Sequence, residues 1–477
     1  MDKILSDFLE FERDEGLFGR KYKGVYYWQY VRHMVGKKSI LFKTKATTGD
    51  QVIRKKNYPN EIVSLLKQSL CDLRKGLILK NSELLYFDQQ ASRYIDGKQV
   101  DPYFDFWELD RRFSIQKCYY SEVNESKVRG RDEGIGVAFA ELMQGIVYHL
   151  SKIVPGIFAD EKEDRFIRDL CVKVHDRYNV MIPKKRMIQI IRDTVIRHRI
   201  YGIYYYRLIK KVNPKVIIVV CHFDSKLFPL YEVSHKCGVP VIELEHGLVS
   251  NHDAYNYKDL TSEGKILPDF FFMYGDFWKQ YIQLPICMRP VAVGNPFLES
   301  QRLKYQNITP DEKTIVFYSD EIGIEEAQLV IEFYKRNADN GYHVCFKPHP
   351  REYPYMRELY SIFDEYPEIQ IIPQDMNLYE LLAGAKHHVA AVSTVLFEAA
   401  IFDVKRYVLY RPEWIQYIQP LLDIGLAKLF YNLDQLQELL AEEENVDKSM
   451  LDFIWKRNAR ENALKALENI INGRKVD

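Results

Sequence analysis

An unbroken apolar run, Val216-Ile217-Ile218-Val219-Val220-Cys221, constrains this chain most. It is strand-length and β-branched, and no polar residue interrupts it. That is the pattern of a parallel strand covered on both faces. A helix is predicted over 227–237 and another strand over 239–244, which is the grammar of a βαβ unit. The grammar tightens downstream, with strands predicted at 314–318, 342–346, 369–372, 389–392 and 406–409. Helices are predicted between them at 325–336, 355–365, 378–385 and 395–402. Upstream, strands are predicted at 84–88 and 113–119, and helical periodicity runs over 161–178 and 184–211. Short connections and right-handed crossovers then give mostly parallel sheets. The expected fold class is α/β: two Rossmann-like, doubly wound domains facing across a cleft. The expected division is 1–265 with a helical N-terminal extension, 266–445, and a C-terminal helix over 446–477 that packs back. The boundary is set by the Pro- and Gly-bearing stretch 262–300.

The rest of the chain narrows the function class. Lys+Arg and Asp+Glu are both 67, so no basic surplus points to nucleic acid. The first residues carry acids where a signal peptide carries bases, and no apolar window reaches the roughly 18 residues of a membrane span. Seven scattered cysteines without a CxxC fit reduced thiols better than a disulfide framework or a zinc site. The expected location is therefore the cytoplasm, with the inner face of the cell membrane as a peripheral alternative. That alternative rests on the basic stretch Lys37, Lys38, Lys43, Lys45, Arg54, Lys55 and Lys56, which a solvated loop explains better, since the bases form no amphipathic stripe.

Chemistry-bearing residues gather at the predicted carboxyl ends of strands, where α/β sheets bind ligands. The strand ending at Phe346 runs into Lys347-Pro348-His349-Pro350-Arg351, three cationic or donating side chains with prolines fixing the backbone around His349. They form a candidate anion seat, or else a solvated loop. The strand ending at Val392 runs into Ser393-Thr394, with Glu398 one turn on. This is a helix cap, and the same geometry offers phosphate a helix end. In the first half, one strand ends in Glu243-Leu244-Glu245-His246-Gly247 and its predecessor in Cys221-His222-Phe223-Asp224. His246 is the candidate general base, with Asp224 second and Glu245 as orienting group or substitute. GxGxxG, GxxxxGK[ST], GxSxG and DxD are all absent. Their absence disfavours a dinucleotide oxidoreductase, a P-loop NTPase and a serine hydrolase. Without DxD, bases and a helix end must neutralise phosphate with no metal.

At these residues the chain resembles the bacterial GT-B-fold transferases that build capsule, lipopolysaccharide and teichoic acid. That superfamily includes sialyl- and Kdo-transferases and CDP-glycerol glycerophosphotransferases. The resemblance rests on Lys347-Pro348-His349-Pro350 (KPHP), Ser393-Thr394 with Glu398, Glu245-His246-Gly247, Pro268-Asp269 to Tyr274-Gly275, and Val293-Gly294-Asn295-Pro296. It covers about residues 214–412. It implies a metal-independent glycosyltransferase or alditol-phosphate transferase of GT-B-like fold, without cofactor. The donor would be a nucleotide sugar or CDP-alditol, held in the second domain by Lys347, His349, Arg351, Ser393 and Thr394, with Glu398 at the ribose. A growing polysaccharide or lipid-linked acceptor would meet the His246 region in the first domain. Two alternatives stay open: a non-hydrolysing nucleotide-sugar epimerase of similar build, and an inactive scaffold that binds glycan or a partner.

Overall fold

The computed structural model describes residues 3–36, 58–88, 93–95, 98–120, 134–247, 249–250, 252–258, 266–320, 323–412, 414–442 and 450–476. The basic stretch 37–56 lies outside the described residues.

The first sheet contains β1 (Leu84–Asp88), β2 (Ile115–Tyr119), β3 (Ile135–Gly136), β4 (Val216–Val219), β5 (Val241–Leu244), β6 (Phe270–Met273) and β7 (Arg289–Ala292). Its order is β7-β6-β5-β4-β1-β2-β3, and every neighbouring pair is parallel. All residues of β1, β4 and β5 are buried, as an unbroken apolar run requires. Around the sheet lie α1 (Lys3–Asp14), α2 (Trp28–His33), α3 (Tyr58–Ile78), α4 (Ala138–Ile153), α5 (Glu161–Tyr178), α6 (Lys184–Val212) and α7 (Phe228–Cys237). Local chemistry sets their ends. Asp160 caps α5 by accepting from the Glu163 N–H, and left-handed Asn179, Asn213 and Gly238 stop α5, α6 and α7.

The second sheet contains β8 (Asp311–Tyr318), β9 (His343–Lys347), β10 (Gln370–Ile371), β11 (Ala385–Ala390), β12 (Lys405–Leu409) and β13 (Lys428–Phe430). It is also wholly parallel, in the order β10-β9-β8-β11-β12-β13. Its helices are α8 (Pro296–Tyr305), α9 (Ile324–Arg336), α10 (Met356–Tyr360), α11 (Leu378–Gly384), α12 (Val395–Ala399), α13 (Ile415–Asp423) and α14 (Leu433–Ala441). The chain ends in α15 (Leu451–Ile454) and α16 (Ala459–Ile471). The architecture is two Rossmann-like parallel sheets in a GT-B-like pairing. One apolar core joins them: Tyr255 and Phe271 pack in the same cluster as Val316 and Leu396, and Trp278 meets Phe397 at a ring-centroid distance of 5.0 Å.

Three expectations are corrected. The sheets do not change over at residue 266. β6 and β7 pair within the first sheet, so the hand-over falls between Ala292 and Asp311. Pro290, one of the breakers in the stretch 262–300, does not end the first sheet. It sits in the edge strand β7, where a missing N–H is tolerated. The C-terminal segment is not one helix: 455–458 break it, with Asn458 left-handed. The strand expected over 389–392 instead spans Ala385–Ala390. His388 enters it because its Nδ1 lies 2.9 Å from the Tyr318 hydroxyl, so a buried polar ring is partnered.

The C-terminal return does confirm that the last helix packs back. α16 buries Ala463, Leu464, Leu467 and Ile470 against β1, β4 and β5 of the first domain. The break before it runs against Gly275 and Gly294, with the Lys456 N–H donating to the Tyr274 carbonyl at 2.8 Å. A Cβ on Gly275 would stand 2.3 Å from the Ile454 carbonyl oxygen, and one on Gly294 2.2 Å from that of Lys456. Only glycine permits that approach.

Candidate functional site

The strand orders fix where each sheet can open. The second reverses direction between β8 and β11, and the crevice beyond their carboxyl ends is the expected ligand position. Beyond β8 come Ser319 and Asp320; beyond β11 come Ala391, Val392, Ser393 and Thr394. Asp320 closes the gap, its carboxylate accepting from the Ala391 N–H at 2.6 Å and the Val392 N–H at 3.0 Å. The sequence reading passed over this residue, because a lone Asp after a strand carries no motif.

Asp320, half-buried, heads a set of acids, with buried Glu326 and Glu352, that tie the strand-end loops together. Glu326 of α9 accepts from the Asp320 N–H at 2.8 Å and the Ser319 hydroxyl at 2.9 Å. Glu352 accepts from the His349 N–H at 2.8 Å and the Tyr360 hydroxyl at 2.6 Å. Burial pushes the Asp320 and Glu326 carboxyls upward, and Asp320 also raises Glu326. His349 and Arg411, the latter just beyond β12, act on Asp320 in the opposite sense. His349 thus lies within electrostatic reach of Asp320, which holds the β11 loop.

The other donor-side residues are less uniform. The Lys347 ammonium donates to the Tyr353 hydroxyl at 2.8 Å and the Pro373 carbonyl at 2.9 Å, and burial lowers its pKa to about 8. Arg351 is exposed, its N–H donating to His349 Nδ1 at 3.3 Å. Ser393 Oγ accepts from the Val395 N–H at 3.3 Å in a turn of two residues, while the N-cap of α12 is Thr394, whose side chain makes no capping hydrogen bond. α12 has only 5 residues, so the helix-end field expected at Ser393-Thr394 is weak. Glu398 is 9 % exposed and accepts a short hydrogen bond from the Tyr379 hydroxyl.

Between the domains lies a narrow cleft. Glu245, His246 and Gly247 line it from beyond β5, Thr394, Glu398 and Tyr379 from the second domain, and Trp455 from the C-terminal break. At its narrow point, a Cβ on Gly247 would lie 3.9 Å from the Thr394 methyl. Lys347, His349, Arg351 and Ser393 do not line this cleft.

Glu245 is the most perturbed group there. It is 2 % exposed, and Oε2 accepts from the Tyr274 N–H at 2.6 Å. Oε1 is buried with no hydrogen-bond partner. Burial pushes its pKa well above the carboxylate range, and the Glu243 charge adds to that. A cleft carboxyl whose pKa is raised by burial is a candidate functional group. The His246 carbonyl accepts from the Tyr103 hydroxyl at 3.1 Å, and the ring lies 5.8 Å from Phe223, centroid to centroid.

Asp224 is placed differently from expectation. Its carboxylate accepts from the Lys226 N–H at 2.8 Å, capping the turn into α7, and it does not line the cleft. Glu243 and His222 form a sealed pair below the site. His222 Nδ1 and Glu243 Oε2 approach to 2.7 Å at an angle too poor for a hydrogen bond. The Tyr255 hydroxyl and the His222 N–H donate to Glu243 Oε1.

Among known proteins, no family model and no curated protein matches this chain. Solved structures do. UDP-GlcNAc 2-epimerase from Rickettsia bellii aligns at 12 % identity and TM-score 0.48, over 83 % of this chain and 97 % of its own. The Methanocaldococcus jannaschii UDP-GlcNAc 2-epimerase aligns at 14 % identity and TM-score 0.44, over 82 % and 99 %. Acinetobacter baumannii MurG aligns at 12 % identity and TM-score 0.42, over 83 % and 99 %. Likeness at this level carries no conclusion about activity. The fold assignment rests on the two parallel sheets and their strand orders.

Proposed function

We propose that the chain is a transferase of GT-B-like fold that moves a sugar, or an alditol phosphate, from a nucleotide-activated donor to a cell-surface polysaccharide or its lipid-linked precursor. The observation that carries this reading is the cleft, where a buried carboxyl with a raised pKa faces the strand-end loops of the second sheet. The second domain holds the donor. Lys347, His349 and Arg411 supply positive charge near its phosphates, and Asp320 and Glu352 fix the loops that carry them. Glu398, oriented by Tyr379, meets the donor ribose. The acceptor enters against His246, which takes its proton; Glu245 shares that burden and displaces Asp224 from the role. In-line displacement at the donor carbon or phosphorus follows, and preorganised cations stabilise the leaving phosphate without a divalent ion bridging it.

The N-terminal half offers a place for a lipid-linked acceptor to approach. α3 exposes Ile62, Leu66, Leu70, Leu73 and Leu77 along one stripe, with Lys67 and Arg74 exposed beside it. No helix among the described residues is long and apolar enough to cross a membrane. The stripe supports peripheral contact with anionic lipid instead.

A thermal-shift panel of CMP, CDP, UDP, GDP and their sugars tests the reading, followed by transfer assays with the ligand that stabilises. One nucleotide class is expected to raise Tm, and Glu245→Gln to slow transfer about 10²–10⁴-fold with Tm retained. Stabilisation by none of them removes the donor site. Conversion of UDP-N-acetylglucosamine alone to an epimer makes the chain an epimerase instead.

A further inference from the structure

A second group of ligating side chains lies outside the cleft and takes no part in the reading above. His33 ends α2; His252 and Asp253 follow the Glu245-His246-Gly247 loop. His33 Nδ1 lies 3.6 Å from Asp253 Oδ2, and His252 Nδ1 lies 3.3 Å from Asp253 Oδ1. One ligand atom from each of the three residues falls within 4.8 Å of the others. The two imidazoles are nearly parallel, 14° apart, with centroids separated by 5.9 Å.

These contacts make poor hydrogen bonds. At 3.6 Å the His33 approach is too long, and His33 Nδ1 is buried with no hydrogen-bond partner. His252 Nδ1 accepts from the Ala254 N–H at 3.1 Å, so that nitrogen carries a lone pair and no proton, yet it faces a carboxylate oxygen. Arg32 also lies beside Asp253, its Nη1 donating to the Asp253 carbonyl. The Arg32 charge is itself met by Glu12, through Nε to Oε1 at 2.6 Å and Nη2 to Oε2 at 2.7 Å. Asp253 thus sets a buried carboxylate between two imidazole nitrogens.

A cation fits that arrangement. With metal–ligand bonds of 2.0–2.2 Å, tetrahedral ligand atoms stand about 3.4 Å apart. The His33–Asp253 and His252–Asp253 separations, each to a different carboxylate oxygen, lie close to that value, and all three ligand atoms fall within 4.8 Å of one another. Two imidazoles with one carboxylate suit zinc or a similar first-row divalent ion rather than magnesium or calcium. The His33 side chain is 33 % exposed, against 9 % for His252 and 2 % for Asp253, so the open coordination position is on the solvent side.

We propose that His33, His252 and Asp253 form a binding site for a zinc-class divalent ion, which clamps the N-terminal α2 to the loop carrying His246. The ion replaces the loose Ala254–His252 hydrogen bond and lies apart from the donor phosphates. Phe223 stands between, 5.2 Å from the His252 ring and 5.8 Å from the His246 ring. The site depends on no assignment of the reaction.

Equilibrium dialysis of the untagged, chelator-stripped full chain against zinc chloride tests it, with metal content read by atomic absorption and cobalt(II) as the spectroscopic probe. One equivalent is expected at low-micromolar free zinc, together with a raised Tm and the visible bands of a low-coordinate cobalt site. His33→Ala and Asp253→Asn should each weaken binding at least tenfold, and His149→Ala, at a remote histidine, should not. Because His33 is partly exposed, its variant should match the metal-free parent in Tm, which separates loss of the site from loss of the fold. Binding below one equivalent in the parent chain, or parental binding by His33→Ala, overturns the proposal. Neither outcome bears on donor binding.

Discussion

At the residue scale, the unusual chemistry is a set of ionisable groups kept from water at strand ends. Lys347 is the clearest test. Burial lowers its pKa to about 8, and a diphosphate bound nearby would favour the charged ammonium. The sign follows: affinity for a nucleoside diphosphate should be full below pH 8 and fall as pH rises through it, by roughly tenfold. Lys347→Met should bind weakly at all pH values and lose that inflection. Isothermal titration at pH 6.5, 8 and 9.5 checks this, and an unchanged profile in the variant would remove Lys347 from the donor site. KPHP made Lys347 and His349 legible in the sequence. Asp320, Glu326 and Arg411 were not, because each is ordinary in its local context and acquires its role only across loops.

At the element scale, the strand-end loops are held by carboxylates from neighbouring elements. Removing the Asp320 carboxylate leaves the Ala391 and Val392 N–H groups without their acceptor. A buried donor left unpaired costs about 1–3 kcal/mol, partly offset here by relief of a buried acid. Asp320→Ala should therefore destabilise the chain by about 2 kcal/mol in urea unfolding with the m-value unchanged, and Asp320→Asn by less. The α3 stripe gives a second test at this scale. Leu70→Lys and Leu77→Asp together should abolish sedimentation with phosphatidylserine vesicles and leave Tm unaltered, because both side chains are exposed. Neutral vesicles should bind the parent weakly, since screened attraction to anionic lipid supplies part of the affinity. Equal binding by parent and variant would show that α3 faces something else. The sequence reading took its membrane hint from the bases of 37–56 and overlooked the apolar face of α3, whose period is plain once the helix is known.

At the scale of the molecule, the C-terminal segment straps the two domains. It leaves the second domain after α14, passes over Gly275 and Gly294, and buries α16 in the first. Gly294 has φ 99, and an added Cβ would meet the Lys456 carbonyl at 2.2 Å and the Ala459 Cβ at 2.6 Å. Gly294→Ala should therefore cost roughly 2–4 kcal/mol, measured by thermal or urea unfolding. Gly425→Ala, also at positive φ but with nothing within 4 Å, should cost only about 1 kcal/mol. Equal losses would mean that backbone strain alone, not the strap, sets the requirement at Gly294.

The sequence by itself determined the class of the fold. β-branched runs alternating with helical periodicity leave few ways to bury both faces of a strand, so parallel sheets were legible before any coordinate. It also determined which loops carry charge, since strand ends can be located from period alone. Tertiary structure decided the rest. Whether β6 and β7 join the first sheet depends on pairing partners distant in sequence, and Pro290 is tolerated only because β7 is an edge. Whether Glu245 or Asp224 reaches the cleft depends on which loop turns inward, and burial, not residue type, raises the Glu245 pKa. The meeting of His33 with His252 and Asp253 joins segments about 220 residues apart, a proximity no local pattern can encode.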